Sequence, residues 1–223
     1  VTTGGGYKRS RVSARVREYY NDVLRWPSLV NSWAWRARLT AFPRRSAAPV
    51  LVNLGCGKDY RADYVNVDVN LFFKRDMWLD LRNPLPFPDA SVDGVFTSHV
   101  LEHFPLDETA HIVRECHRVL KPGGVIRVVV PDVAPAVQAY LRGDREYFHG
   151  SGESLGRLFS DHVLDNSNHR LLMDYSFVEE LLRDAGFREI RRCEYAKGTQ
   201  PLSQKMAELD NRPEISLYAE AVR

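Results

Sequence analysis

The sequence predicts a doubly wound α/β fold: a mostly parallel sheet with an antiparallel C-terminal strand, held between helices as a three-layer sandwich. Three observations carry this. The apolar run Val50-Leu51-Val52-Asn53-Leu54 closes at once on Gly55-Cys56-Gly57, as a buried parallel strand does where it turns into a loop. Further strand-like runs at 64–69, 77–81, 91–98 and 125–130 alternate with helical periodicity at 107–120 and 133–142, the order of a sheet with crossover helices. Two late strand-like runs, 187–195 and 215–221, follow with a loop between them and give the sheet a mixed edge.

Length and composition set the frame. The chain has 223 residues, 44% hydrophobic and 27% charged, enough for one large domain or two small ones. No apolar stretch approaches the ~18 residues of a membrane span. Cys56, Cys116 and Cys193 are too few and too scattered for a disulfide framework or a structural zinc site. No secretory h-region is visible, and a cytoplasmic location is expected. Charge is uneven. Residues 1–48 hold ten basic residues against Glu18 and Asp22, a balance of +8, so the remainder carries −6 of the net +2. Trp26, Trp33 and Trp35 lie in the same segment.

The elements follow in order. Residues 1–8 read as a disordered tail. Val12, Val16, Tyr19 and Val23 recur at helical spacing, with Pro27 ending that helix; a second helix runs from 28 to about 40, closed by Pro43. This basic, aromatic segment, 1–48, is expected to be a helical lid or cap on a main domain of residues 49–223. A basic surface for anionic lipid, glycan or nucleic acid is the alternative. Only about ten residues separate the first two strands, short for a parallel crossover, so the link is expected to be irregular. Asp68 and Asp80 sit near the ends of the second and third strands. A proline-rich loop, 83–89, precedes the fourth. Asp107 or Thr109 is expected to cap the next helix, and Lys121-Pro122-Gly123-Gly124 to stop it. Residues 143–170 read as an irregular, polar insertion with a short helix near 155–164. A helix at 177–185 leads to the last two strands.

Several pieces together carry a family resemblance: Leu54-Gly55-Cys56-Gly57, Asp68, Asp80-Leu81, Leu85-Pro86-Phe87 with Asp89, the segment from Ser98 to His103, and Arg118-Val119-Leu120-Lys121-Pro122-Gly123-Gly124. In this order, over residues 50–132, the chain resembles class I S-adenosylmethionine-dependent methyltransferases of the type 11-like group. That resemblance implies a Rossmann-like fold and S-adenosylmethionine as cofactor. It puts Asn53, Gly55, Cys56, Gly57, Asp68, Asp80, Leu81 and Ser98 against the cofactor. The glycine turn's N–H groups would take the carboxylate of its amino-acid portion, Asp68 the ribose hydroxyls, Asp80 the adenine amine, while the Leu81 N–H donates to the ring. The chain departs from the pattern at Asn53, where an acidic residue is common, and in lacking a third glycine.

The resemblance implies transfer of a methyl group, and O-methylation of a sugar or other small metabolite is the expected reaction. His99 follows the fourth strand at the sheet's carboxyl edge, where the family keeps the reactive methyl. An ordinary imidazole, with a pKa of about 6.5, can take a proton at neutral pH. His99 is therefore the candidate base, with Glu102 orienting its ring; His103 completes the catalytic candidates and His169 is a second candidate base. His99, Glu102 and His103 share one helical face by spacing, which would suit zinc, iron or nickel. No metal is assigned, because such side chains at a helix start more often bond backbone groups. The expected partner is a small-molecule or glycan acceptor; peripheral membrane contact is compatible with the basic segment, and nucleic acid is not expected. The alternatives are a non-catalytic binding module of the same fold and a nucleic-acid methyltransferase using the basic segment. A nicotinamide dehydrogenase is disfavoured by the missing third glycine and the absence of a Tyr-x-x-x-Lys pair.

Overall fold

The computed structural model describes residues 14–38, 49–148, 152–165 and 167–223. The expectations for the tail at 1–8, for the helix ends at 9–13 and 39–40, and for Pro43 fall outside these residues.

Seven strands form one sheet: β1 (Leu51–Leu54), β2 (Val65–Asp68), β3 (Met77–Trp78), β4 (Val92–Ser98), β5 (Leu120–Pro131), β6 (Arg188–Cys193) and β7 (Ser216–Val222). Their order is β3-β2-β1-β4-β5-β7-β6. The pairs from β3 through β5 are parallel, and β7 runs antiparallel to both β5 and β6. The strand order reverses between β1 and β4, so the crevice of this fold opens at their carboxyl ends.

Both faces of the sheet are apolar and covered. On one, Val52, Leu54, Val67, Val95 and Val128 pack with residues of α2 (Leu106–Val119) and α5 (Tyr175–Asp184). On the other, Leu51, Phe96, Val129 and Tyr218 pack with Tyr64 and with Met206 of α6 (Pro201–Ala207). α3 (Val133–Leu141) and α4 (Leu155–Val163) share a smaller cluster around Ala136, Ala139, Phe148 and Leu158.

The short link from β1 to β2 is irregular, as its length requires. The buried Asn66 side chain replaces a helix in satisfying it: its amide donates to the carbonyls of Arg61 (2.7 Å) and Tyr64 (2.9 Å) and accepts from the Arg61 N–H (2.9 Å). The proline-rich loop is clamped from α2. Arg118 donates to the carbonyls of Leu85 (2.8 Å) and Phe87 (2.9 Å) and to Asp89 (2.6 Å), which ties these two separated stretches to each other.

Several expectations are corrected. Among the described residues, the N-terminal segment forms one helix, α1 (Ala14–Arg38), with Pro27 inside it. Its inner face bonds to the main domain on the C-terminal side of that proline, which holds the helix through the lost N–H. Neither Asp107 nor Thr109 caps α2; Pro105 precedes its first residue, and the Thr109 hydroxyl donates to the carbonyls of Leu101 (3.2 Å) and Phe104 (3.3 Å). Residues 121–124 begin β5 rather than only ending α2, because Leu120 already pairs with Val92. The third strand is two residues long. Within the loop read before the last strand lies α6, opened by Pro201, with the Gln200 N–H donating to the Ser203 hydroxyl (3.0 Å).

Candidate active site

The glycine turn closes β1 against β2. Gly55 and Cys56 both donate their N–H groups to the Val67 carbonyl (2.8 and 3.1 Å), and Gly57 donates to Asp68 Oδ2 (2.7 Å). Gly55 and Gly57 have φ of 65° and 50°, the left-handed region that favours glycine. A Cβ on Gly57 would meet nothing within 4 Å, so space lies over the turn. All three N–H groups are thus engaged within the protein, unlike the expectation that they face a ligand carboxylate. With no helix after β1, the turn is held by β2 instead.

Asp68 is buried and accepts from Gly57 and from the Asn70 N–H (2.6 Å), one bond to each oxygen, which leaves lone pairs on both. Asn53, also buried, donates to the Asp59 carbonyl (3.1 Å) and to Asn66 (3.3 Å), tying β1 to the link. Burial, with Asp68 nearby, pushes the Cys56 thiol up to about 12, so it remains protonated and is a poor nucleophile.

Asp80 faces a different environment. Its carboxylate accepts from Arg82 Nε (3.1 Å to each oxygen) and Nη2 (2.8 Å), and its N–H donates to the Ser28 hydroxyl of α1 (2.6 Å). Asn31 donates to the Trp78 carbonyl (2.6 Å) and Ser32 to that of Pro84 (2.7 Å). α1 therefore lies along residues 78–84, which include Asp80 and the buried Leu81 that the resemblance gives to adenine. Its outer face leaves Trp26 and Trp33 about 70% exposed.

A pocket opens beside β1 and β4, lined by Asn53, Gly55, Cys56 and Ser98 together with Arg61 and Asn211. Asn211 donates to the Ser98 hydroxyl (3.3 Å), while its buried Oδ1 has no hydrogen-bond partner. A buried acceptor without a donor costs on the order of 1–3 kcal/mol, so this amide suits a ligand that brings an N–H. Arg61 and Asn211 escaped the sequence reading: each lies in a loop, and no motif marks either.

His99 ends β4. Its N–H donates to the Val129 carbonyl (2.9 Å), yet its φ is 54°, a strained value for a residue with a Cβ. Its ring lies between Ser216 Oγ (3.0 Å from Nε2) and Glu102 Oε1 (3.4 Å from Nδ1). Glu102 and His103 belong to a 3₁₀ turn, Leu101–His103, and Glu102 is 1% exposed. His103 meets His169, with ring centroids 5.3 Å apart. Burial pushes the His169 imidazole below its ordinary value. The catalytic candidates thus divide, His99 toward Ser216 and His103 toward the 143–170 insertion, with Glu102 between them.

Among the described residues, no helix is long and apolar enough to cross a membrane. A family model described as a methyltransferase domain matches residues 52–128, from β1 into β5. Malonyl-[acyl-carrier protein] O-methyltransferase 1 of Coxiella burnetii is 35% identical over 109 residues, covering 45% of this chain and 37% of that protein. A demethylmenaquinone methyltransferase of Listeria welshimeri is 28% identical over 120 residues, covering 51% of this chain and 49% of that protein. The chain therefore spans less than half the length of these curated relatives. A solved S-adenosylmethionine-dependent methyltransferase from Archaeoglobus fulgidus superposes with a TM-score of 0.51 at 15% identity, covering 92% of this chain and 100% of that one. Phosphoethanolamine N-methyltransferase 2 of Haemonchus contortus, in complex with S-adenosyl-L-methionine, superposes with a TM-score of 0.50 at 14% identity, over 94% of this chain and 58% of that one. Likeness at such identities is likeness of fold.

Proposed function

We propose that this chain is a class I S-adenosylmethionine-dependent methyltransferase, a reading supported by the family match over residues 52–128, and that it methylates an oxygen of a sugar or other small metabolite. S-adenosylmethionine supplies a sulfonium-bound methyl group that is already a strong electrophile. The protein's task is then to bind, align and handle one proton.

The observation that carries this reading is the set of groups gathered at the carboxyl edge of β1, β2 and β4. Asp68 keeps lone pairs for two ribose hydroxyls. The pocket beside it offers the partnerless Asn211 Oδ1 and the cationic Arg61, a matched pair for an ammonium and a carboxylate. The donor set present therefore fits the cofactor. Asp80 takes a changed role: with its carboxylate on Arg82, it fixes α1 and the backbone around Leu81 and so shapes the adenine end.

On this reading His99 takes the acceptor's proton at Nε2 after releasing Ser216, and the Glu102 carboxylate, 3.4 Å from Nδ1, favours the charged ring by its field rather than by a hydrogen bond. A base at this position favours a hydroxyl acceptor, since an amine needs less help. The Coxiella relative, named as an O-methyltransferase, points the same way. α1 acts as a cap over residues 78–84, held there by Ser28, Asn31 and Ser32.

The test is a screen of the purified chain with methyl-labelled cofactor against pools of sugars, phenols, carboxylates and tRNA. Label is expected in an alkali-stable ether in the sugar or phenol pool. Label only in tRNA would replace the proposal with the nucleic-acid reading.

A further inference from the structure

We propose that Glu102, His103 and His169 form a binding site for a divalent transition-metal ion of the zinc class. Each offers one ligand atom, and the three atoms lie within 4.8 Å of one another.

The first argument is the state of Glu102. Its side chain is 1% exposed, and neither carboxylate oxygen has a hydrogen-bond partner. His99 Nδ1, at 3.4 Å from Oε1, is too far and too poorly aligned to be one. A buried carboxylate without donors is costly, and proteins compensate it with a paired cation or a metal.

The second argument is the state of the two imidazoles. His103 Nδ1 lies 3.0 Å from the Asn168 carbonyl, and His169 Nδ1 lies 2.9 Å from the Val163 carbonyl. A carbonyl only accepts, so both rings carry their proton on Nδ1 and keep a lone pair on Nε2. This outer hydrogen bond to a backbone carbonyl is the arrangement that fixes the tautomer and orientation of a metal-binding histidine.

The backbone holds the three together although the sequence separates them. The Glu102 carbonyl accepts from the N–H groups of Arg170 (2.7 Å) and Leu171 (3.2 Å), which brings His169 beside the 3₁₀ turn. Two nitrogens and one carboxylate favour zinc, iron, cobalt or nickel over magnesium or calcium. Such ions sit about 2.0–2.2 Å from their ligands, so donors around one ion are up to ~4.4 Å apart, and small side-chain rotations close the set. His103 is exposed, which gives the ion a path from solvent. Three protein ligands leave a position open, as in catalytic rather than structural sites. Resting on the methyl-transfer reading, that position suits an oxygen of the acceptor.

The test uses the full chain, stripped with a chelator and titrated with Zn²⁺ and Co²⁺ in the absence of cofactor. One equivalent per chain is expected by elemental analysis, with visible Co²⁺ absorption bands that Zn²⁺ displaces. His103→Ala and His169→Ala should each weaken binding ~10-fold or more. Glu102→Gln should do the same; the exposed His103 variant keeps the test open if the buried ones do not fold. A folded chain that takes up no metal and gives no Co²⁺ bands overturns the site. Stoichiometric binding untouched by both histidine variants overturns it too, by moving the ion elsewhere. Cofactor calorimetry on the same preparation is read separately, so metal uptake without cofactor binding sinks the methyl-transfer reading and leaves the site standing.

Discussion

Gly55 and Val100 stand so close that a Cβ on the glycine would lie 2.4 Å from Val100 Cγ2. The turn that ends β1 is thus pressed against the segment that follows β4, and the backbone there also has a φ of 65°. Gly55→Ala should therefore destabilise the fold twice over, by about 1–3 kcal/mol for overpacking and about 1–2 kcal/mol for the left-handed conformation. In a Gly55→Ala/Val100→Ala pair the losses should be less than additive, since the clash is relieved and the strain is not. Denaturant titrations of the four proteins measure this. Strictly additive losses would mean that the two residues do not press on each other.

A second relationship lies at the opposite face. Arg127, fully buried in β5, donates Nε to Asp210 (2.8 Å) and its terminal nitrogens to Asp210 and Glu220, both buried as well. Asp210 also accepts from the Ala196 N–H (2.9 Å) and Glu220 from the Thr199 N–H (3.0 Å), so the network anchors the loop that carries α6. Arg127→Met leaves two carboxylates buried without their cation. A loss of about 3–5 kcal/mol is expected in chemical denaturation, and a loss below about 1 kcal/mol would show the network to be dispensable.

Stability should also respond to pH through His117. Burial holds its imidazole below the ordinary value, with Arg223 acting in the same direction. The folded state then binds fewer protons than the unfolded chain just below the ordinary histidine pKa. This contribution is complete above about pH 6.5 and is lost as pH falls toward the lower folded value. Thermal unfolding from pH 7.5 to 5 should show it, and His117→Gln should flatten the slope. An unchanged slope in the variant would assign the acid sensitivity to other groups.

The catalytic role is tested at His99. His99→Ala should lower the maximal rate about 10²-fold or more on the acceptor found by the screen, with cofactor affinity little changed. Near-normal turnover would leave alignment alone as the source of the rate.

The parts of the fold legible in the sequence are those whose signal is local. The apolar run into Gly55 and the helical face of Ile112, Val113 and Cys116 need no distant partner to be read, and Leu51, Val52, Leu54 and the three helix residues are all buried. What escaped depends on tertiary contacts. Pro27 reads as a helix end, but Ser28, Asn31 and Ser32 bond to residues 78–84 and carry α1 past it. α6 had a usable signal, since Gln200-Pro201-Leu202-Ser203 places a proline at the first helical position and a serine two residues on. At the site, Asp68 is where its position at a strand end suggests, whereas the pairing of Asp80 with Arg82 is visible only in three dimensions. His169 was a candidate by residue type alone, and its meeting with Glu102 and His103 is made by the Arg170 and Leu171 N–H groups across 68 and 69 positions of sequence.

The central claim rests on the carboxylate of Asp68, and calorimetric titration of the full chain with S-adenosylmethionine and its demethylated product tests it most directly. Both ligands are expected to bind at one per chain. Asp68→Ala should weaken both by roughly 10- to 100-fold, the equivalent of losing one or two charge-assisted hydrogen bonds. Folded protein that gives no heat and no competition with either ligand would contradict the claim.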